Sequence, residues 1–169
     1  MFTYWFLMLK KRVSPLSASI FLNSSQASRK KKNSILIKAG IKTNGGFTIR
    51  PPFFFEKGNT YIGNNSYINS GCVILDHSEV TIGESTFIGP HVTITTVAHP
   101  TQPTERCSGL IAEPIHIGNN VWIGAGSIIL PGVNIADGSI IAANSVVNCD
   151  IPENVLYAGT PAVFKKSLD

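Results

Sequence analysis

The chain has 169 residues, the size of one ordinary domain, of which 43% are hydrophobic and 14% charged. That balance is too apolar for a disordered chain and too weakly charged for a coiled coil or a long solvated helix. Fifteen Gly and ten Pro punctuate it, and no apolar run approaches the ~20 residues that span a bilayer, which argues against an integral membrane protein.

The net charge of +4 conceals a division. Residues 1–50 hold ten of the fourteen Lys and Arg and no acid, whereas residues 51–169 hold four basic and all ten acidic residues. A nucleic-acid partner would require that charge on a folded surface among aromatic or groove-reading elements. Here it falls in Lys10-Lys11-Arg12 and Arg29-Lys30-Lys31-Lys32, within a Ser-rich stretch without clear periodicity, so no nucleic acid is expected. Residues 1–33 read as a poorly ordered basic leader, ahead of one domain over 34–169. The apolar run from Phe2 to Leu9 precedes the basic cluster instead of following it, unlike a secretory signal, while the acid-free composition leaves organellar targeting open. Cys72, Cys107 and Cys149 describe neither a disulfide framework nor a zinc knuckle, and favour a reducing, cytoplasmic setting.

From Ile62 the sequence acquires a period of six. Ile62, Ile68 and Ile74 form one set, Ile82, Ile88 and Ile94 a second, Ile117, Ile123 and Ile129 a third, and Ile135, Ile141 and Val147 a fourth. Helices repeat at 3.6 and half-buried strands at 2, so a sustained six predicts a hexapeptide β-solenoid instead. Three hexads close one triangular coil, and the Ile stack in columns along the axis. Four residues beyond each ladder position stand Ser66, Cys72, Ser78, Thr86, Val92, Ala98, Val121, Ser127, Val133, Ser139, Ser145 and Ile151, all small or β-branched. Asn64-Asn65, Asn119-Asn120 and Asp137-Gly138 suit the corners.

Immediately after the ladder residue, the second hexads carry Asn69, Gly89, Gly124 and Ala142. Asn69 breaks a column otherwise trimmed to Gly or Ala, either as a tolerated corner residue or as an amide presented to a ligand. The register also exposes interruptions. Ile74 to Ile82 is a slip of two, and Ile94 to Ile117 inserts seventeen residues beyond one hexad. Loops of that length are usually functional or disordered. Its opening, Val97-Ala98-His99-Pro100, predicts that His99 ends a coil strand on the rigid side of the insertion, a good mounting for a catalytic side chain.

Over roughly Ser34 to Leu168 the sequence resembles the hexapeptide-repeat acyltransferases, in their sugar O-acetyltransferase branch. The resemblance rests on the repeat with Tyr67-Ile68-Asn69, Ile74-Leu75-Asp76, Ala98-His99-Pro100, the run from Ile117 to Gly124, Asp150-Ile151-Pro152, and Ala158-Gly159-Thr160-Pro161-Ala162. It implies an all-β fold, a left-handed parallel β-helix with a long inserted loop, assembled as a homotrimer with acetyl-CoA between subunits and no metal. It further implies His99 as general base, Asn69 and Asp76 as acceptor-binding residues, Ala125 and Ala143 along the pantetheine path, Lys166 near the CoA phosphates and Trp122 beside the acyl tunnel or in trimer packing. Partners would be acetyl-CoA and a small hydroxyl-bearing acceptor, with no membrane. Two features depart from the pattern: no acid precedes Glu56, where the family's helical N-terminal region carries a sugar-binding carboxylate, and Val163 stands where the tail is usually basic. The competing readings are a non-catalytic trimeric scaffold, and a zinc enzyme like the gamma-class carbonic anhydrases drawing on His77, His91, His99 and His116.

Overall fold

The computed structural model describes residues 2–169. Its hexads fold into short parallel strands on three faces. The first face stacks β1 (Lys42–Thr43), β4 (Thr60–Ile62), β7 (Val80–Ile82), β12 (Ile115–Ile117) and β15 (Asn134–Ile135). The second stacks β2 (Thr48–Ile49), β5 (Tyr67–Ile68), β8 (Phe87–Ile88), β13 (Trp122–Ile123), β16 (Ile140–Ile141) and β18 (Val155–Ala158), with β19 (Val163–Ser167) antiparallel at its edge. The third stacks β3 (Phe53–Phe55), β6 (Cys72–Leu75), β9 (Thr93–Thr95), β14 (Ile128–Ile129) and β17 (Val146–Val147).

Backbone hydrogen bonds run from coil to coil, as from Gly63 N to Ile82 O (2.7 Å), Gly83 N to Ile117 O (2.8 Å) and Gly118 N to Ile135 O (2.8 Å). Inside this frame the ladder side chains are buried. The repeat begins one coil earlier than the Ile pattern shows, because Thr43 pairs with Ile62, Ile49 with Ile68 and Phe55 with Ile74.

The positions four residues beyond the ladder divide between buried apolar residues such as Val92 and Val121 and hydroxyl residues. The hydroxyls reach carbonyls of a neighbouring coil: Ser66 Oγ donates to Gly83 O (2.6 Å), Thr86 Oγ1 to Gly118 O (2.7 Å) and Ser127 Oγ to Ala142 O (3.0 Å). A buried hydroxyl is tolerated only when so paired. Ser78 and Ala98, expected in this set, lie outside the core, because each follows an interruption of the register. Val80 and Ile115 are buried there instead. The expected corners hold, with positive φ at Asn65, Asn120 and Gly138.

The leader departs from the poorly ordered segment expected over residues 1–33. It forms α1 (Phe2–Leu9), α2 (Pro15–Ser24) and α3 (Arg29–Lys38), so that the boundary drawn at residue 34 falls inside a helix. Ser14 caps α2 by accepting from Ser17 N, with Pro15 in the first turn, where its missing N–H is no loss. Leu7, Val13, Ala18, Phe21, Leu22, Ile35 and Leu36 join the same buried cluster as the ladder. The physical reason is the first coil. Its Phe47, Phe53 and Phe55 would otherwise face water at the open end of the solenoid. The helices cover them, and Asn23 locks the contact by donating to Phe53 O (3.1 Å) and accepting from Phe53 N (2.9 Å). Asn33 likewise donates to Phe47 O (2.9 Å).

Deleting residues 1–38 is expected to lower unfolding free energy by at least about 3 kcal/mol, since re-exposing each large apolar side chain costs roughly 1.5–3 kcal/mol. Denaturant titration with an apolar dye checks this. An unchanged midpoint without dye binding would show that the helices are not part of the core.

Candidate active site

The second face carries a cavity of about 570 Å³ lined by Tyr67, Asn69, Phe87, Gly89, Trp122 and Ala125. Strand register builds its wall. Tyr67 pairs with Phe87 and Phe87 with Trp122, so three outward aromatics stack in one column, with Phe87 51% and Trp122 55% exposed. Its floor is backbone. A Cβ at Gly89 would stand 2.7 Å from Ala125 N, and one at Gly124 2.4 Å from Ala143 N. Neither position accepts a side chain, and Gly89, with Ala125 beside it, leaves the cavity a smooth floor, while Gly124 is buried behind it.

Three sequence-selected residues therefore meet here: Asn69, Trp122 and Ala125. Asn69 Oδ1 accepts from Ser70 N (2.8 Å), which fixes the amide plane and turns its NH₂ outward as a donor. Ala143 lies one coil beyond Ala125, joined to it through Asn144 N donating to Ala125 O (2.8 Å), and is exposed outside the cavity. Lys166 is exposed on β19, paired with Leu156 of β18 at the far end of the solenoid.

His99 stands apart from that cavity within one chain. It follows β10 (Val97–Ala98), which pairs antiparallel with β11 (Ile111–Ala112) inside the insertion. The supporting strand is thus the insertion's own hairpin and not a coil strand, a departure from the expected mounting. The imidazole is exposed, and its Nδ1 lies 3.1 Å from Arg106 O. A carbonyl only accepts, so the contact requires a proton on Nδ1 and leaves the Nε2 lone pair free.

Asp76 lies outside that cavity, within the bend between β3 and β4. The side chain is fully buried, and both oxygens are occupied: Oδ1 accepts from Glu56 N (3.0 Å) and Lys57 N (2.7 Å), Oδ2 from Gly58 N (3.0 Å), Asn59 N (2.7 Å) and Thr60 Oγ1 (2.8 Å). These five donors make it the anchor of the bend between β3 and β4. The adjoining His77 Nε2 lies 2.8 Å from Glu56 Oε1, but without the alignment of a hydrogen bond. Cys72 is buried, its Sγ donating to Gly89 O (3.1 Å), and burial pushes its thiol up, as befits packing rather than nucleophilic chemistry.

The four His are dispersed over a corner after β6 (His77), a left-handed corner at φ 58° (His91), the insertion (His99) and β12 (His116). Among the described residues of one chain, no three of His, Cys, Asp and Glu stand close enough to hold a metal ion. Nor is any helix among them long and apolar enough to cross a membrane.

Sequence reasoning missed Arg50. In register it precedes Asn69, because Ile49 pairs with Ile68, so the column reads Arg50, Asn69, Gly89, Gly124, Ala142. Arg50 Nε donates to Tyr67 Oη (3.0 Å), a bond that raises the guanidinium's pKa further. Extending the period of six one coil back, through Ile49, would have found it.

A parallel β-helix of hexapeptide repeats with a glycine-floored groove defines a class of acyl-transferring enzymes, and comparison with known proteins bears on it directly. Residues 114–149 match the family model described as bacterial transferase hexapeptide (six repeats). Galactoside O-acetyltransferase of Escherichia coli K12 is 41% identical over 155 residues, covering 90% of this chain and 76% of the relative. The structure of galactoside acetyltransferase in complex with coenzyme A superposes with a TM-score of 0.88 at 37% identity, over 94% of this chain and 81% of that one. A maltose O-acetyltransferase from Clostridium difficile 630 gives 0.88 at 32% identity, over 97% and 89%. The solenoid is the same left-handed β-helix. The chain belongs to the hexapeptide-repeat acetyltransferases.

Asp76→Asn should cost about 2–4 kcal/mol, since an amide places a donor against backbone N–H groups that need an acceptor. Asn69→Ala, losing one local bond, should cost ~1 kcal/mol or less. Paired chemical denaturation measures both, and a neutral Asp76→Asn with lost acceptor binding would return Asp76 to the ligand.

Proposed function

We propose that this chain transfers an acetyl group from acetyl-CoA to a hydroxyl of a sugar or related acceptor. The observation that carries this is the groove on the second face, its floor trimmed to Gly89 and Ala125 and its wall built from Phe87 and Trp122, with Asn69 among its lining residues. The likeness over 94% of the chain to a galactoside acetyltransferase holding coenzyme A supports it. In this reading the pantetheine arm runs past Ala125 and Ala143 toward Lys166, Trp122 walls the acyl end, and the Asn69 amide donates to the acceptor. Asp76 contributes by shaping the bend that carries its neighbours. A reducing, cytoplasmic setting suits three free cysteines.

His99 serves as the general base. Its Nε2 takes the proton of the acceptor hydroxyl as that oxygen attacks the thioester carbonyl. The tetrahedral intermediate collapses to the acetyl ester, and the departing CoA sulfur takes the proton back from the imidazolium. No acyl-enzyme is required, since the thioester is already activated and the two substrates are held in line.

Because His99 and the Asn69 cavity lie apart in one chain, the site closes only when a second copy brings its His99 to this groove. Three copies arranged head to tail in a closed ring supply each groove with a neighbour's histidine. The half-exposed Phe87, Trp122 and Ile128 provide apolar surface for that contact.

Two outcomes are expected. Sedimentation should give about three times the chain mass of 18.2 kDa, and a stable monomer would reject the shared site. His99→Ala should lower kcat by about 10²–10⁴ with acetyl-CoA affinity nearly unchanged. Near-native turnover in that variant would remove His99 as the base.

A further inference from the structure

A second cavity, of about 410 Å³, adjoins the first where α3 crosses the first coil, and the two share Tyr67. Arg29, Lys32 and Arg50 line it together with Asn33, Thr48 and Tyr67, and no carboxylate does. Two of the three cations are held by the solenoid. Arg29 Nη1 donates to Thr48 Oγ1 (3.1 Å), and Arg50 Nε donates to Tyr67 Oη (3.0 Å). Among the described residues none of the three pairs with an acid.

Like charges gathered around one concavity repel each other, and a solvated basic face relieves this by letting its side chains spread into water. Here two guanidinium groups, though exposed, are each fixed at the rim of the cavity by one hydroxyl, with the other N–H donors of each planar fork unpaired among the described residues. That arrangement suits a carboxylate or phosphate, which accepts two bonds from one guanidinium. The position adds a constraint. Arg50 and Asn69 are the two long polar side chains in the column that continues as Gly89, Gly124 and Ala142. They therefore stand at the acceptor end of the groove, not along the donor's path.

We propose that the acceptor is a hydroxyl compound bearing an anionic group, with its charge held by Arg29, Lys32 and Arg50 and its reacting hydroxyl end beside Tyr67 and Asn69. This rests on the acetyl-transfer reading above, and names its substrate class as sugar acids or sugar phosphates rather than neutral glycosides. The cavity has room for one charged substituent and part of a pyranose ring.

The test uses the full chain and matched acceptors: methyl galactoside against methyl galacturonoside, and glucose against glucose 6-phosphate, following release of CoA thiol. The anionic member of at least one pair is expected to show kcat/KM higher by about tenfold or more, mainly through KM, with the preference shrinking as salt rises. The pair with the larger ratio distinguishes carboxylate from phosphate. Arg50→Gln and Arg29→Gln should each drive that ratio toward one, and Arg50→Lys should retain part of it. Equal kcat/KM within both pairs, or ratios unmoved by these substitutions, would overturn the proposal. Calorimetry of galacturonate and glucose 6-phosphate without donor separates the two claims. Failure to bind acetyl-CoA or turn over any acceptor sinks the transfer reading. Failure of both anions to bind sinks the anionic site by itself.

Discussion

Each coil of this protein lies on the next at the hydrogen-bonding distance of adjacent strands, about 4.8 Å. Every side chain must fit that spacing. The consequence is most severe just after the ladder residue, where a Cβ at Gly63 would stand 2.5 Å from Gly83 C, and one at Gly83 2.5 Å from Gly118 C. Backbone atoms cannot retreat from such a contact without breaking the coil-to-coil bonds, so glycine persists where the ladder could otherwise vary. The core obeys the same spacing in a milder form, with Ile in repeated columns and paired hydroxyls between them.

A groove follows from this restriction without further design. Where the second face is trimmed to Gly89, with Ala125 beside it, the backbone itself is the floor, and the residues that precede the ladder, Phe87 and Trp122, rise as its side. The floor is pinned by the whole solenoid and does not depend on side-chain packing for its shape. The chemistry proposed above comes from outside the regular repeat. His99 stands in an interruption between coils, and Arg29 and Lys32 on the helices that close the end.

The ladder was legible because Ile at every sixth residue leaves no alternative period, and the insertion because it breaks that count. What escaped notice has specific causes. Thr43 and Phe55 occupy ladder positions without being Ile, so the first coil, and Arg50 with it, lay outside the visible pattern. The leader's apolar residues fall on both the buried and the exposed sides of its helices, with Leu7, Phe21 and Leu22 in the core and Trp5, Phe6, Leu16 and Ile20 outside it, so no helical period marks them. Asp76 matched a ligand-binding motif, but no sequence pattern shows that five donors from residues 56–60 already surround it. Its role depends on the bend between β3 and β4 in the first coil, one coil before the visible Ile pattern, whose backbone N–H groups meet it only when the coils are stacked.

These two oversights, the first coil and the helices, are one physical fact. A solenoid has open ends, and the coil that ends it exposes the ladder to water unless something polar on its outer side covers it. Here the cover is a set of helices that bury Leu7, Ala18, Phe21, Leu22, Ile35 and Leu36 in the common core, while Trp5, Phe6, Leu16 and Ile20 stay exposed along with Arg29 and Lys30. Because the cover must sit over the first coil, it necessarily sits beside the first residues of every column, including the one that leads through Asn69 into the groove. If the acceptor is held as proposed, changes in the cap alter the charge it meets while leaving the glycine floor untouched, because stability at this junction depends on the apolar contacts of the helices and not on Arg29 or Lys32.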